Sequence, residues 1–135
     1  MKHVILMACV MAGLAFAPMA RAQEEPIRAV ISAQIEAFVA DDFDTAFTYA
    51  SPTIQRIFGS AQNFGAMVKS GYPMVWRPGE VKFLALEQRG GLLWQDVLVR
   101  DAQGALHILE YQMQRDGAGW KINGVKIRKG TAGTA

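Results

Sequence analysis

Four strand-length runs follow one another through the second half of this chain. The links between them are too short for any strand to run parallel to the next. Glu80 to Arg89, Leu92 to Asp101, Ala105 to Arg115 and Trp120 to Arg128 are separated by Gly90-Gly91, Ala102-Gln103-Gly104 and Asp116-Gly117-Ala118-Gly119. Glycine-rich connections of about two to four residues are hairpin turns, whereas a parallel pair needs a crossover of roughly a dozen. The sequence therefore predicts a four-stranded antiparallel meander. In the first run Val81, Phe83 and Ala85 alternate with Lys82, Leu84 and Leu86. In the last, Trp120 and Ile122 hold one parity, Val125 and Ile127 the other. That switch at Asn123-Gly124 predicts a bulge that re-aims the chain.

The first half reads as helices. Ile27, Val30, Ile31, Gln34, Ile35, Phe38 and Asp41 follow helical spacing, and Pro26 suits a first turn, so a helix is expected from about Pro26 to Ala40. Asp42 is placed to cap a second helix, Phe43 to Ala50. Ser51-Pro52 starts a third, stopped by Gly59, and Ser60 caps a fourth that ends at Gly71. Between Tyr72 and Gly79 two prolines and a glycine argue against regular structure, yet Tyr72, Met74, Val75 and Trp76 are apolar enough to lie on the core. The helices are the available cover for one sheet face, which makes the layout α+β.

The N-terminus reads as an address. Met1-Lys2-His3 is basic, Val4 to Ala17 is uncharged and apolar, and Ala20-Arg21-Ala22 precedes the polar Gln23-Glu24-Glu25. This is the pattern of a secretory signal peptide cut between Ala22 and Gln23. The apolar run falls short of the roughly 20 residues of a membrane span. Residues 1–22 are thus expected to leave, 23–130 to form a single α+β domain, and 131–135 to be a frayed tail. Leu6-Met7-Ala8-Cys9 resembles a lipoprotein box, which would instead make Cys9 the mature start. Cleavage at Ala22 removes the sole cysteine, so packing alone must hold the exported chain. It also removes Lys2 and Arg21, leaving 12 basic side chains against 12 acidic ones. A neutral surface offers no field for nucleic acid, and no stable membrane insertion is expected.

Several stretches carry a family likeness. Ala40-Asp41-Asp42-Phe43-Asp44-Thr45-Ala46-Phe47 and Asp116-Gly117-Ala118-Gly119-Trp120-Lys121-Ile122-Asn123-Gly124-Val125 resemble the nuclear transport factor 2-like superfamily, shared with ketosteroid isomerase and SnoaL-like cyclases. More closely, Tyr49-Ala50-Ser51-Pro52, Met67-Val68, Tyr72-Pro73 and Trp120 to Val125 resemble a family of small exported bacterial proteins, the domain of unknown function with serial number 4864. The likeness spans about residues 27 to 128. It implies a cone-shaped fold with helices on a curved sheet and a pocket between them. Homodimers through the open sheet face are common in that superfamily. Its enzymes use a carboxylate or histidine with a tyrosine or protonated acid as oxyanion donor, but no local motif here matches those residues.

The chemistry-bearing side chains are sparse. Asp41, Asp42 and Asp44 cluster, but a cap and two solvated acids explain them. His107 stands alone in the mature chain, without cysteine or histidine partners for a metal and without a Gly-x-Ser-x-Gly elbow for a triad. Gln34 interrupts an apolar stripe, and a buried amide needs partners. Arg56, Lys69, Arg77, Lys82, Arg89 and Arg100 read as solvated surface. Pockets favour aromatic walls with a few polar tips. Gln34, Tyr49, Tyr72, Trp76, Trp94, His107 and Tyr111 are therefore the candidate pocket residues. No cofactor and no metal is expected. The leading expectation is an exported, non-catalytic module that binds a small ligand or an envelope protein through a pocket or sheet face. The alternative is an acid–base enzyme of the isomerase or cyclase kind, which needs Glu110, Asp42 or His107 in a concave pocket with a tyrosine. A cavity below roughly 300 Å³ counts against a small-molecule ligand.

Overall fold

In a computed structural model, which describes residues 16–117 and 119–129, helices come first and strands last. The helices are α1 (Phe16–Val39), α2 (Phe43–Thr48), α3 (Pro52–Phe58), α4 (Ala61–Gly71) and α5 (Pro73–Trp76). The strands are β1 (Glu80–Arg89), β2 (Leu92–Arg100), β3 (Leu106–Asp116) and β4 (Gly119–Lys129). They form one antiparallel sheet in the order β1-β2-β3-β4. The expected α+β meander is what the chain builds. The tail 131–135, Cys9 and most of residues 1–22 lie outside the described residues.

Two helical expectations need correction. The first helix does not begin at Pro26 but at Phe16, with Pro26 inside it. Between Pro18, in the first turn, and Pro26 stand methionine, alanine, arginine, glutamine and glutamate, all strong helix formers. One missing N–H is not enough to stop them. The segment from Tyr72 to Gly79 is not irregular throughout, because Pro73 stands at the first position of α5. There its absent N–H would have no partner anyway. Met74 and Val75 of this turn are buried, as their apolarity requires.

The core lies between α1 and the sheet. Ile27 and Ile31 are fully buried, as are Val97, Val99 and Leu109 facing them. Burying each such side chain contributes about 1.5–3 kcal/mol. The caps follow the sequence closely. Asp42 accepts from the Thr45 N–H at 3.1 Å, Ser51 from Ile54 at 3.2 Å and Ser60 from Asn63 at 3.1 Å. Gly59 ends α3 at φ +81°, a conformation only glycine adopts without strain.

Both edge strands are bulged. On β4 the register shifts between Gln112 and Met113 of its partner, leaving Asn123 as the extra residue, as its glycine neighbour predicts. On β1 the register shifts between Phe83 and Leu86, so Leu84 and Ala85 together oppose Asp96. That bulge overturns the simple alternation read for this strand. Leu86, not Ala85, joins Val81 and Phe83 against the core. The cause lies on β2, where the fully buried Gln95 donates its amide to Leu84 O at 3.0 Å, Ala85 O at 3.3 Å and Asp96 O at 2.8 Å.

Two arginines read as solvated surface are structural. Arg77 donates to the last carbonyls of α1, Phe38 O at 3.2 Å and Val39 O at 3.3 Å, and to both Asp41 oxygens. Asp41 also accepts from the Trp76 indole at 2.8 Å. Arg89 and Arg128 each reach the buried Asp96 at 3.1 Å on the outer sheet face. These partners are far apart in sequence, so no local pattern announces them.

Trp76, and secondarily Arg77, lowers the pKa of Asp41 from its ordinary 3.8, while His107 and the Ala105 N–H do the same for Asp101. A lowered folded pKa stabilises the fold above the unfolded value and ceases to do so as pH falls through the folded one. These two aspartates therefore contribute no pH dependence above about pH 5 and a progressive loss of stability below it. Urea titrations between pH 2 and 6 check this, and Asp41→Asn should flatten the acid limb. An unchanged limb would show that Asp41 holds nothing in the fold.

A candidate binding cavity between the helices and the sheet

An apolar cavity of about 230 Å³ lies where α1, α3 and α4 face β3 and β4. Each wall has a local cause. The apolar stripe of α1 brings Gln34 and Phe38, and the inner face of α4 brings Phe64, Met67 and Val68. The outer wall is α3, through Ile54 and Phe58. None of α3 is fully buried, and its Ile54 and Phe58 pack against the core from outside. The floor is Tyr111 on β3 with Ile122, Gly124 and Val125 on β4. The Asn123 bulge turns Val125 to the same side as Ile122, which strict alternation would forbid. Asn123 is held by Ser51 Oγ, which donates to its Oδ1 at 2.7 Å, and itself donates to Gln112 at 2.6 Å. The start of α3 and the floor of the cavity are thus tied together.

No lining residue is charged. Its polar groups are few, and two are engaged. Gln34 Nε2 donates to Ala46 O at 3.1 Å, and the Tyr72 hydroxyl donates to Val125 O at 3.0 Å. Tyr111 is 1% exposed and its hydroxyl has no partner. An orphaned buried hydroxyl forfeits about 1–3 kcal/mol relative to a satisfied one. Burial first, then Tyr72, pushes the Tyr111 phenol above its ordinary 10, so it stays protonated and can donate.

Of the seven candidates, the structure brings Gln34, Tyr72 and Tyr111 together in this cavity. The other four stand elsewhere. Tyr49 is half-buried beside the cavity and offers its carbonyl to the Ile122 N–H at 2.9 Å. Trp76 packs at the end of α1 between the Arg77 and Lys69 cations, 4.2 and 5.5 Å from its ring centre. Trp94 lies on the opposite sheet face between Arg89 and Lys126. His107 is at the β2–β3 turn, its Nε2 2.9 Å from Asp101 Oδ2. Parity on an ideal strand places Trp94 and Tyr111 on opposite faces only once the register is known, and Gln95 opposite Tyr111 sets it.

Among Glu110, Asp42 and His107, none lines the cavity with a tyrosine. Glu110 accepts from Arg128 at 3.0 Å on the outer face, and Asp42 is an exposed cap. Among the described residues no cluster of acids and histidine is placed to hold a metal ion. The aromatic wall of Phe38, Phe58 and Phe64 reads as core in the sequence. What marks it as a cavity wall is that rings at 5.8 Å spacing stop short of the sheet.

No curated protein and no solved structure matches the chain. A family model does match, over residues 20–135, and it covers nearly all of both halves of the fold. The chain belongs to that family, described as a domain of unknown function (DUF4864).

Proposed function

We propose that this protein is an exported, non-catalytic binding module that takes a small molecule between its helices and its sheet. One observation carries the reading. The space between the two layers is not filled by the protein's own rings, and three sequence-selected residues converge on it. A cavity of about 230 Å³ is below the usual range for drug-sized ligands, roughly 300 Å³ and above. The ligand must therefore be smaller than those. An engineered apolar cavity of roughly 150 Å³ binds benzene, so the size admits a single ring or a short chain. By the criterion of roughly 300 Å³ this volume counts against a small-molecule ligand of ordinary size, and a protein partner on the sheet face is the second reading. Helices before a bulged meander are also the order of the nuclear transport factor 2-like superfamily, and placement there, near the SnoaL-like proteins, is part of the proposal.

Methyl-resolved NMR with a set of small neutral fragments tests it. Ile54, Met67 and Val125 should shift, while Leu98 and Ile108 on the other sheet face should not. Shifts confined to the outer face would overturn the pocket reading.

Export rests on Ala20-Arg21-Ala22 and on Pro26. In the uncut chain Pro26 interrupts a helix interior, where proline is unfavourable by about 3 kcal/mol. In a chain beginning at Gln23 it falls in the first turn, where its missing N–H is harmless, with Glu24 and Glu25 beside the positive helix end. Among the described residues no helix is long and apolar enough to cross a membrane. N-terminal sequencing of protein from the envelope fraction should read Gln23 first. A start at Cys9 would revive the lipoprotein reading, and a retained Met1 would end the export argument.

A further inference from the structure

We propose that the free edge of β1 pairs antiparallel with β1 of a second copy of this chain, joining two sheets into one across a two-fold axis between Leu84 and Ala85. This surface is the sheet edge, distinct from the open sheet face. β1 is an outermost strand, and among the described residues it pairs with β2 alone. Such an edge presents unpaired N–H and C=O groups to any strand that fits them. Their direction follows from the ladder. Ile122 donates its N–H to Tyr49 O at 2.9 Å and accepts from the Ser51 N–H at 2.8 Å, so its backbone groups point away from β3. In an antiparallel sheet these directions alternate along each strand. Carried through the registers from β4 to β1, the alternation turns Glu80, Lys82, Glu87 and Arg89 toward β2. It turns Val81, Phe83, Leu86 and Gln88 toward the free edge, on both sides of the bulge.

These positions match themselves in one antiparallel register, with Glu80 opposite Arg89 of the second copy. Val81 then faces Gln88 and Phe83 faces Leu86, so the edge-facing backbone groups meet in hydrogen-bonded pairs. Val81, Phe83 and Leu86 lie on the core face in both copies. On the outer face Lys82 stands opposite Glu87, in a non-hydrogen-bonded pair, where side chains approach most closely. Both are exposed. Leu84 and Ala85, the bulged residues, oppose each other at the axis, so one bulge answers the other. A slip of two residues sets Glu80 against Glu87, or Lys82 against Arg89. A slip of one sets outer-face charges against core-face side chains. Edge charges ordinarily repel a further strand. Here they repel the slipped registers and attract in the aligned one. Glu80 and Arg89 already hold Arg100 and Asp96 of their own chain at 3.2 and 3.1 Å, so Lys82 with Glu87 carries most of the selection.

Sedimentation velocity of the purified protein from micromolar to millimolar concentration tests this. A dimer should form, and as it forms amide hydrogen exchange should slow at Phe83 and Leu86. The Lys82 and Glu87 amides, already bonded to β2, should not change. Lys82→Glu and Glu87→Lys should each weaken dimerisation by about tenfold or more, because each dimer contains the pair twice. The double variant Lys82→Glu/Glu87→Lys should restore it, a recovery that misfolding cannot produce. A protein still monomeric at millimolar concentration overturns the proposal. So does a dimer that both single variants leave intact, since it must use another surface, or a double variant that fails to recover. The cavity is tested separately by fragment binding and is untouched by these outcomes.

Discussion

Phe38→Ala should lower folding stability by about 3–5 kcal/mol, the range for removing a buried aromatic side chain. Phe38 is 2% exposed, and its ring centre lies 6.1 Å from Phe43 and 5.8 Å from Phe64. It is the point where α1 meets α2 and α4 at once. A domain of this size has roughly 5–15 kcal/mol in total, so about a fifth or more of its stability rests on this ring. The thermal midpoint should fall by roughly 10–25 °C. Collapse cannot soften the loss, because the vacated space joins a cavity that already exists. The same change should widen the pocket, so that a bicyclic fragment excluded by the natural protein enters the variant. Urea unfolding gives the first quantity and fragment NMR the second. A loss below about 1 kcal/mol would mean that the helices are not packed through Phe38.

Gly65→Val should cost about 1–3 kcal/mol by overpacking. Glycine inside a helix is unfavourable by about 1 kcal/mol against alanine, so its presence in the middle of α4 needs a reason. The reason is α2, which crosses so closely that a Cβ on Gly65 would stand 2.7 Å from Phe43 Cδ1 and 2.8 Å from its Cγ. The ring cannot simply rotate aside, since it packs on Phe38 and under the Lys69 ammonium, 5.2 Å away. Thermal unfolding of Gly65→Val, Phe43→Ala and the double variant decides the cause. The penalty at Gly65 should largely vanish once Phe43 is truncated. If it persists, the close approach of α2 is not what demands the glycine.

The elements were legible because their signals are local. Hairpin glycines, serine and aspartate caps and the Pro52 start each act within a few residues, and strand and helix periods repeat within one turn or pleat. Even the β4 bulge is local, since Asn123-Gly124 marks a change of parity. The misread elements depended on partners elsewhere. The β1 bulge carries no glycine and exists because Gln95, on the next strand, supplies hydrogen bonds to its carbonyls. Arg77 was indistinguishable from a surface charge until folding placed the end of α1 against it.

The candidate site was legible by residue type more than by position. Buried polar tips among aromatics select Gln34, Tyr72 and Tyr111, and equally select Trp76, Trp94 and His107, which the fold sends elsewhere. Sequence by itself determined the α+β order, the antiparallel meander, the caps and the family, because these follow from short-range periodicity and turn chemistry. Tertiary structure alone decided which sheet face the helices cover and which aromatic rings meet. It also decided that α3 lines a cavity through Ile54 and Phe58, and that the Tyr111 hydroxyl is left without a partner. The physical reason is that a cavity is a mismatch between surfaces brought together from distant parts of the chain. No single segment encodes the volume that its packing partners fail to fill.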